Sequence, residues 1–272
     1  MSGNSVLSKS ERARLASLDS YQVLDTHPEQ EYDSIARLAA YICRKPIATI
    51  TFIDAENQFI KSYIGMEGGK LLREDSICQF TILEDQILEI NDTFLDLRTS
   101  ELACVLGEPN IRFYAGIPLI THDGCRIGSL CVIDVVPGKL DEQQMHALTA
   151  LAQEVVCRLE LRKKNLELND LLHKYEDINT MFNSSAELYC ILDRNGTILF
   201  INNIVEKMFG YTIEECLHRS IWEFFFEDDT RVLIPILELG LSTGQKNFEL
   251  EEKIKLKGGG IKWICNETFC TE

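Results

Sequence analysis

Between Gly138 and Gly196 the chain has neither glycine nor proline, so nothing in its backbone chemistry interrupts a helix there. Asp141 with Gln144 three positions on forms a capping pattern, and Leu140 and Met145 are placed as a hydrophobic staple. The spacing predicts one helix from Glu142 to about Met181. Roughly forty residues at ~1.5 Å each make a rod of ~60 Å. Along it Leu148, Ala152, Val155, Leu159, Arg162, Leu166 and Asn169 alternate steps of four and three, a heptad seam interrupted at Arg162 and Asn169. The half from Arg162 to Glu176 is too polar for a globular core, and a lone solvated helix of this length is marginal. A parallel homodimer is therefore expected, with Leu148, Ala152, Val155, Leu159, Leu166 and Asn169 as its seam.

Such a helix divides the chain into residues 1–140, a linker over 141–181, and residues 182–272. In the first part a short helix is predicted from Glu11 to Ser20. A second follows a capping pattern at Thr26 and Glu29, with Pro28 in its first turn and Tyr32, Ile35, Leu38, Ala39 and Ile42 at helical spacing. Strands are predicted at Ile47–Ile53, Gln58–Tyr63 and Ile87–Ile90. A hairpin spans Arg112 to Asp134 and turns at Asp123-Gly124, a pair that favours positive φ. In the last part, strands at Leu188–Leu192 and Thr197–Ile201 flank Asp193-Arg194-Asn195-Gly196. A helix covers Asn203–Phe209, and a final hairpin, Asn247–Lys255 and Ile261–Phe269, turns at Gly258-Gly259-Gly260. The order is α+β: two modules, each with a central antiparallel sheet flanked by helices, joined by the long helix.

The formal net charge of -16 leaves no basic footprint for nucleic acid and disfavours an anionic membrane surface. The N-terminus has no apolar secretory core, and no apolar run approaches the ~20 residues of a membrane span. A cytoplasmic protein is expected. Of ten cysteines, Cys43, Cys104, Cys131, Cys157 and Cys190 sit in apolar stretches as small hydrophobes. No Cys-x-x-Cys and no His/Cys spacing of a zinc site occurs, so no metal site is expected.

Several words carry family resemblances. The hairpin Arg112–Asp134, together with Leu24-Asp25-Thr26-His27-Pro28-Glu29, Ile47–Asp54, Lys61-Ser62-Tyr63-Ile64-Gly65 and Ser76-Ile77-Cys78, resembles a GAF domain, a cytoplasmic sensory module. The Asp193–Gly196 turn, Phe200-Ile201-Asn202, Gly210-Tyr211-Thr212-Ile213-Glu214-Glu215 and the acidic pair Asp228-Asp229 resemble a PAS domain. The PAS family sheet has five strands and only four are legible, so the second module is expected to lack its last strand. The resemblance implies the sensory region of a bacterial signal-transduction protein. Its output domain, a histidine kinase or less often a diguanylate cyclase, would lie outside this chain.

No signature of a bound cofactor accompanies these words. No Cys is followed by His, as bilin attachment requires, and the cyclic-nucleotide and flavin words of the two families are absent. The stretch Thr230–Leu241, where haem-binding PAS domains supply a ligand, has no His. His146 and His173 lack the acidic context of a kinase phosphoacceptor, and the glycine triplet at 258–260 lacks the acidic residues of a cyclase motif. Any GAF ligand would be an unidentified small molecule. Phe52, Cys78, Arg112, Tyr114 and Cys131 are the residues expected to face it. Catalytic residues are expected to be absent. The competing reading is a thiol-based methionine sulfoxide reductase of the GAF type, or a redox sensor, working through Cys78 with Cys125 or Cys131.

Overall fold

The computed structural model describes residues 8–66, 69–231, 233–235 and 247–269. The chain forms two compact units, Met1–Asn169 and Asp170–Glu272. In the first, α1 (Lys9–Ser20) and α2 (Gln30–Cys43) precede β1 (Ile47–Ile53), β2 (Asn57–Ile64) and β3 (Lys70–Leu72). The short α3 (Cys78–Thr81), β4 (Leu88–Ile90) and α4 (Ala103–Leu106) follow, then β5 (Phe113–Ile120) and β6 (Arg126–Asp134). The six strands form one sheet in the order β3-β2-β1-β6-β5-β4, and each pairing is antiparallel. That is the architecture expected of the first module.

Period-two alternation sorts the strands onto two cores. Ala48, Ile50, Phe52, Phe113, Ala115, Ile117, Leu130 and Val132 pack in one core with Leu18 of α1 and Tyr32, Ile35, Ala36 and Ala39 of α2. On the other face Ile47, Ile53, Tyr114, Cys131 and Ile133 pack with Ile77, Cys78, Ile82 and Val105. Two connections are fixed by local chemistry. The Asp54 carboxylate accepts from the amides of Glu56 and Asn57 and closes the turn between β1 and β2. Gly65 has φ 74°, and a Cβ there would lie 2.0 Å from the Pro46 carbonyl oxygen, so no side chain fits.

The long helix, α5 (Glu142–Ser184), begins where the sequence places it. Asp141 Oδ1 accepts from the Gln144 amide, and Gln144 Oε1 accepts from the Asp141 amide. Its first half, however, is no linker. Leu148, Val155 and Leu159 are 0 % exposed and Ala152 2 %, all in the core shared with α1, α2 and the sheet. This corrects the expected dimer seam. The four-three spacing of these residues is the signature of a helix packed on its own domain, which the seam pattern alone does not distinguish. The remaining members of the expected seam diverge: Leu166 is half-buried and Asn169 exposed.

A second correction concerns the start of α2. The Glu29 side chain makes no capping bond, and the Thr26 hydroxyl donates to the Val23 carbonyl. Both side chains also accept from Lys61 Nζ. A buried ammonium competes for these oxygens and wins over the helix end.

In the second unit β7 (Cys190–Leu192) pairs with β8 (Ile198–Ile201), and β9 (Asn247–Lys255) with β10 (Ile261–Phe269), all antiparallel. Between them lie α6 (Ile204–Phe209) and α7 (Ile213–Cys216). Among the described residues these four strands form two ladders, linked to other segments by the isolated bridges Thr197↔Ser220 and Phe225↔Ile254. Ile198, Ile201, Val205, Phe209, Phe224, Phe225 and Ile254 form the core. The C-terminal turns of α5 are tied into this unit: Asn202, fully buried, donates from Nδ2 to the Phe182 and Glu187 carbonyls, at 2.8 Å each. Much of the stretch Thr230–Leu241, considered above for haem, lies outside the described residues.

The assignment of α5 to the first core has a direct test. Leu159→Ala should destabilise the protein by about 2–5 kcal/mol, as buried leucine truncations do, whereas Leu161→Ala, at a position 60 % exposed, should change monomer stability by less than about 0.5 kcal/mol. Urea denaturation of the two variants at low protein concentration reads the difference.

Candidate functional site

Five residues were expected to face a ligand, and the sheet brings three of them together. Tyr114 on β5, Cys131 on β6 and Cys78 at the start of α3 share the second core, at 0 %, 0 % and 4 % exposure. The two sulfurs are 3.8 Å apart. Phe52 does not belong with them: one step out of phase on β1, it points into the core beneath α1 and α2. Arg112 precedes β5 and forms a two-pronged pair with Asp92, at 2.9 and 2.7 Å. With its side chain 31 % exposed, it braces the strand edge rather than facing an interior anion.

The polar partners of the three were not foreseen. Thr49 Oγ1 lies 2.9 Å from the Cys131 sulfur. Thr51 and Ser129 exchange a hydroxyl contact at 3.1 Å, and Thr81 Oγ1 lies 2.6 Å from the Tyr114 hydroxyl. Thr49 and Thr51 alternate with Ala48, Ile50 and Phe52 along β1. That polar phase within an apolar strand was the available signal, and it names the face on which the cysteines sit. The environment splits the two thiols. Hydrogen bonds from Cys131, and then from Ser129, Tyr114 and Thr51, outweigh burial and lower the Cys78 thiol below the ordinary range. The partner keeps its proton: the Cys78 sulfur beside it and its burial push the Cys131 thiol up. Burial raises Cys43 and Cys104 to about 11 and Cys190 to about 12.

On the opposite face a cluster of charges surrounds Lys61 of β2. Its side chain is 4 % exposed. Besides Thr26, Nζ reaches the His27 carbonyl at 2.8 Å and Glu29 Oε1 at 2.6 Å. Arg162 of α5 shares the same carboxylate at 3.1 Å and donates to the carbonyls of Tyr21 and Gln22, each at 3.0 Å. The Leu24–Glu29 word singled out in the sequence is thus the strap under which the last buried turn of α5 is fastened. Beside it lies a cavity of about 260 Å³ bordered by Val23, Thr26, Phe52, Phe59, Lys61 and Lys70, so Phe52, parted from the cysteines, lines a cavity on this face. Among the described residues no group of three or more His, Cys, Asp or Glu side chains could hold a metal. No helix there is long and apolar enough to cross a membrane.

Removing the shared carboxylate should cost more than removing the arginine. Glu29→Gln leaves the Lys61 ammonium buried with only neutral acceptors, an expected loss of about 1–3 kcal/mol after allowing for the partial exposure of Glu29. Arg162→Gln leaves the Lys61–Glu29 pair intact and should cost less. Chemical denaturation of both variants checks the order.

The family models agree with this architecture. The family model of the GAF domain matches residues 27–159, and that of the PAS fold residues 176–269. A Pseudomonas aeruginosa protein named a cyclic di-GMP phosphodiesterase is 33 % identical over 208 residues, covering 74 % of this chain and 35 % of the relative. The chain therefore spans about a third of that relative's length. Among solved structures, a GAF domain of a Coxiella burnetii phosphoenolpyruvate-protein phosphotransferase matches 58 % of this chain and 98 % of its own, with 12 % identity and TM-score 0.44. A PAS domain from Colwellia psychrerythraea matches 34 % of this chain and 78 % of its own, with 19 % identity and TM-score 0.32. The chain is a GAF domain followed by a PAS domain, two sensory modules in tandem.

Proposed function

We propose that this chain is the cytoplasmic input region of a longer bacterial signalling protein, and that it carries out no catalysis itself. The observation that carries the reading is α5. One unbroken helix has its first half within the GAF core and its last turns within the PAS unit. A change at the GAF sheet that shifts Leu148, Val155 or Arg162 must move the helix that continues into the second unit. The relative's name favours an output acting on cyclic di-GMP over the histidine kinase expected from the sequence.

Homodimerisation is part of this proposal, with a seam in a different phase from Leu148, Ala152, Val155 and Leu159, which the domain core occupies. Leu161, Leu168, Leu171, Tyr175 and Ile178 are 53–64 % exposed and follow one another at steps of seven, three, four and three. Lys164 occupies the vacant position between Leu161 and Leu168. From Leu161 to Ile178 this stripe runs for about two and a half heptads. Parallel pairing there would deliver two PAS modules to a dimeric output.

Two experiments test the proposal. Light scattering at micromolar concentration should find residues 1–272 as a dimer and the Leu168→Glu, Leu171→Glu double variant as a monomer. A monomeric parent, or a dimer that survives both substitutions, removes the helix seam. Residues 1–272 should neither autophosphorylate with ATP nor turn over GTP or cyclic di-GMP, whereas the full-length protein should turn over cyclic di-GMP. Turnover by residues 1–272 themselves would overturn the input reading. Autophosphorylation of the full-length protein without cyclic di-GMP turnover would restore the kinase output.

A further inference from the structure

We infer that Cys78 and Cys131 are a dithiol site that closes to an intramolecular disulfide on reaction with a small hydroperoxide, tying α3 to β6 inside the GAF domain. Closing the bond takes the sulfurs from 3.8 Å to about 2.05 Å, a shift of about 1.8 Å. Cys78 sits at the start of a four-residue helix, an element small enough to make such a shift. Cys131 is held in the middle of a central strand, paired with Thr49 on one side and Gly116 on the other.

The neighbours suit the chemistry. Tyr114, Thr51 and Ser129 offer hydroxyls on the side of Cys78, and Thr49 contacts Cys131. The Cys78 sulfur attacks the peroxide oxygen: an S–O bond forms, the O–O bond breaks, and the thiol proton leaves with the alcohol or water. Cys78 is then a sulfenic acid, oxidised by two electrons, and the peroxide has been reduced by two. The Cys131 sulfur attacks the Cys78 sulfur, an S–S bond forms, and hydroxide leaves with the Cys131 proton as water. Cys78 is favoured as the attacking group because its hydrogen-bond donors stabilise the thiolate, while Cys131 keeps the proton it must deliver. Burial at 4 % and 0 % restricts the oxidant to one small enough to pass between packed side chains.

The consequence for signalling rests on the reading of this chain as an input region. Leu130 and Val132, which flank Cys131 on β6, point to the opposite face, into the core that holds Leu148 and Val155 of α5. A bond that displaces β6 is therefore felt on the helix side of the sheet. Bond formation does not depend on that reading, so the two fail separately.

The test treats the native protein of residues 1–272 with hydrogen peroxide, blocks remaining thiols with N-ethylmaleimide under denaturing conditions, and maps peptides by mass spectrometry. A Cys78–Cys131 linked peptide is expected, formed at least about tenfold faster than any modification of Cys43, which is equally buried but carries a thiol raised by burial. Dithiothreitol should reverse it. Cys131→Ser should leave Cys78 as a sulfenic acid that dimedone traps, and bulky Ellman's reagent should leave the native pair untouched. Cys78 and Cys131 still reduced when the more exposed Cys157 is oxidised, or a linkage of either to a third cysteine, overturns the inference. With the linked peptide present, unchanged hydrogen exchange in α5 would overturn only its link to signalling.

Discussion

The packing of one face of α5 against the GAF sheet is the constraint on which the other features of this chain depend. Leu148, Val155 and Leu159 are completely buried, and each such side chain contributes roughly 1.5–3 kcal/mol on leaving water. No second copy is needed to hold this half of the helix. The register it sets places Arg158 and Arg162, about one turn apart, on the α2 side, where they meet Glu31 and Glu29. The same register turns Leu161, Leu168 and Leu171 outward. One helix thus presents a face that belongs to a domain and, past Leu159, a different face that belongs to no described neighbour.

The sheet beneath it is two-sided by the same arithmetic of period two. Along β1, Ala48, Ile50 and Phe52 serve the helix-covered core, while Thr49 and Thr51 serve the face with Cys78 and Cys131. Both faces hold polar groups that must be satisfied. Lys61 is completed by Thr26, the His27 carbonyl and Glu29, and the sulfurs are completed by hydroxyls. Glu29 joins the two requirements at the helix side, since its carboxylate answers both the buried lysine and the arginine that fastens α5. The sheet and the helix are accordingly joined by packed side chains and by the ion pairs that Glu29 makes with Lys61 and Arg162.

Much of this was legible in the sequence, and the failures have physical causes. Strand positions, the hairpin turns and the Asp141–Gln144 cap were readable because each rests on neighbours within a few residues. The phase of α5 was not. Leu148, Ala152, Val155 and Leu159 show the same spacing whether they meet a sheet or a second helix, and only the chain's own tertiary structure decides between them. Thr26 and Glu29 have the spacing of a cap, but the competing Lys61 lies more than thirty residues away. Phe52 and Cys131 are expected together at one cavity, but Phe52 stands an odd number of residues from Thr49 on β1 and so faces the other core. Arg112 found its partner in Asp92, twenty residues upstream, a pairing that no local pattern announces.

The central claim, that α5 is domain core as far as Arg162 and solvent-exposed from there until its last turns join the second unit, is tested most directly by hydrogen–deuterium exchange at two protein concentrations. Amides from Leu148 to Arg162 should exchange slowly and at the same rate at both concentrations. Those from Leu168 to Ile178 should exchange faster when dilute and slow down as concentration rises. Protection of Leu148 to Leu159 that disappears on dilution would contradict the account, because it would place those leucines in an interface between chains and not in the core of one.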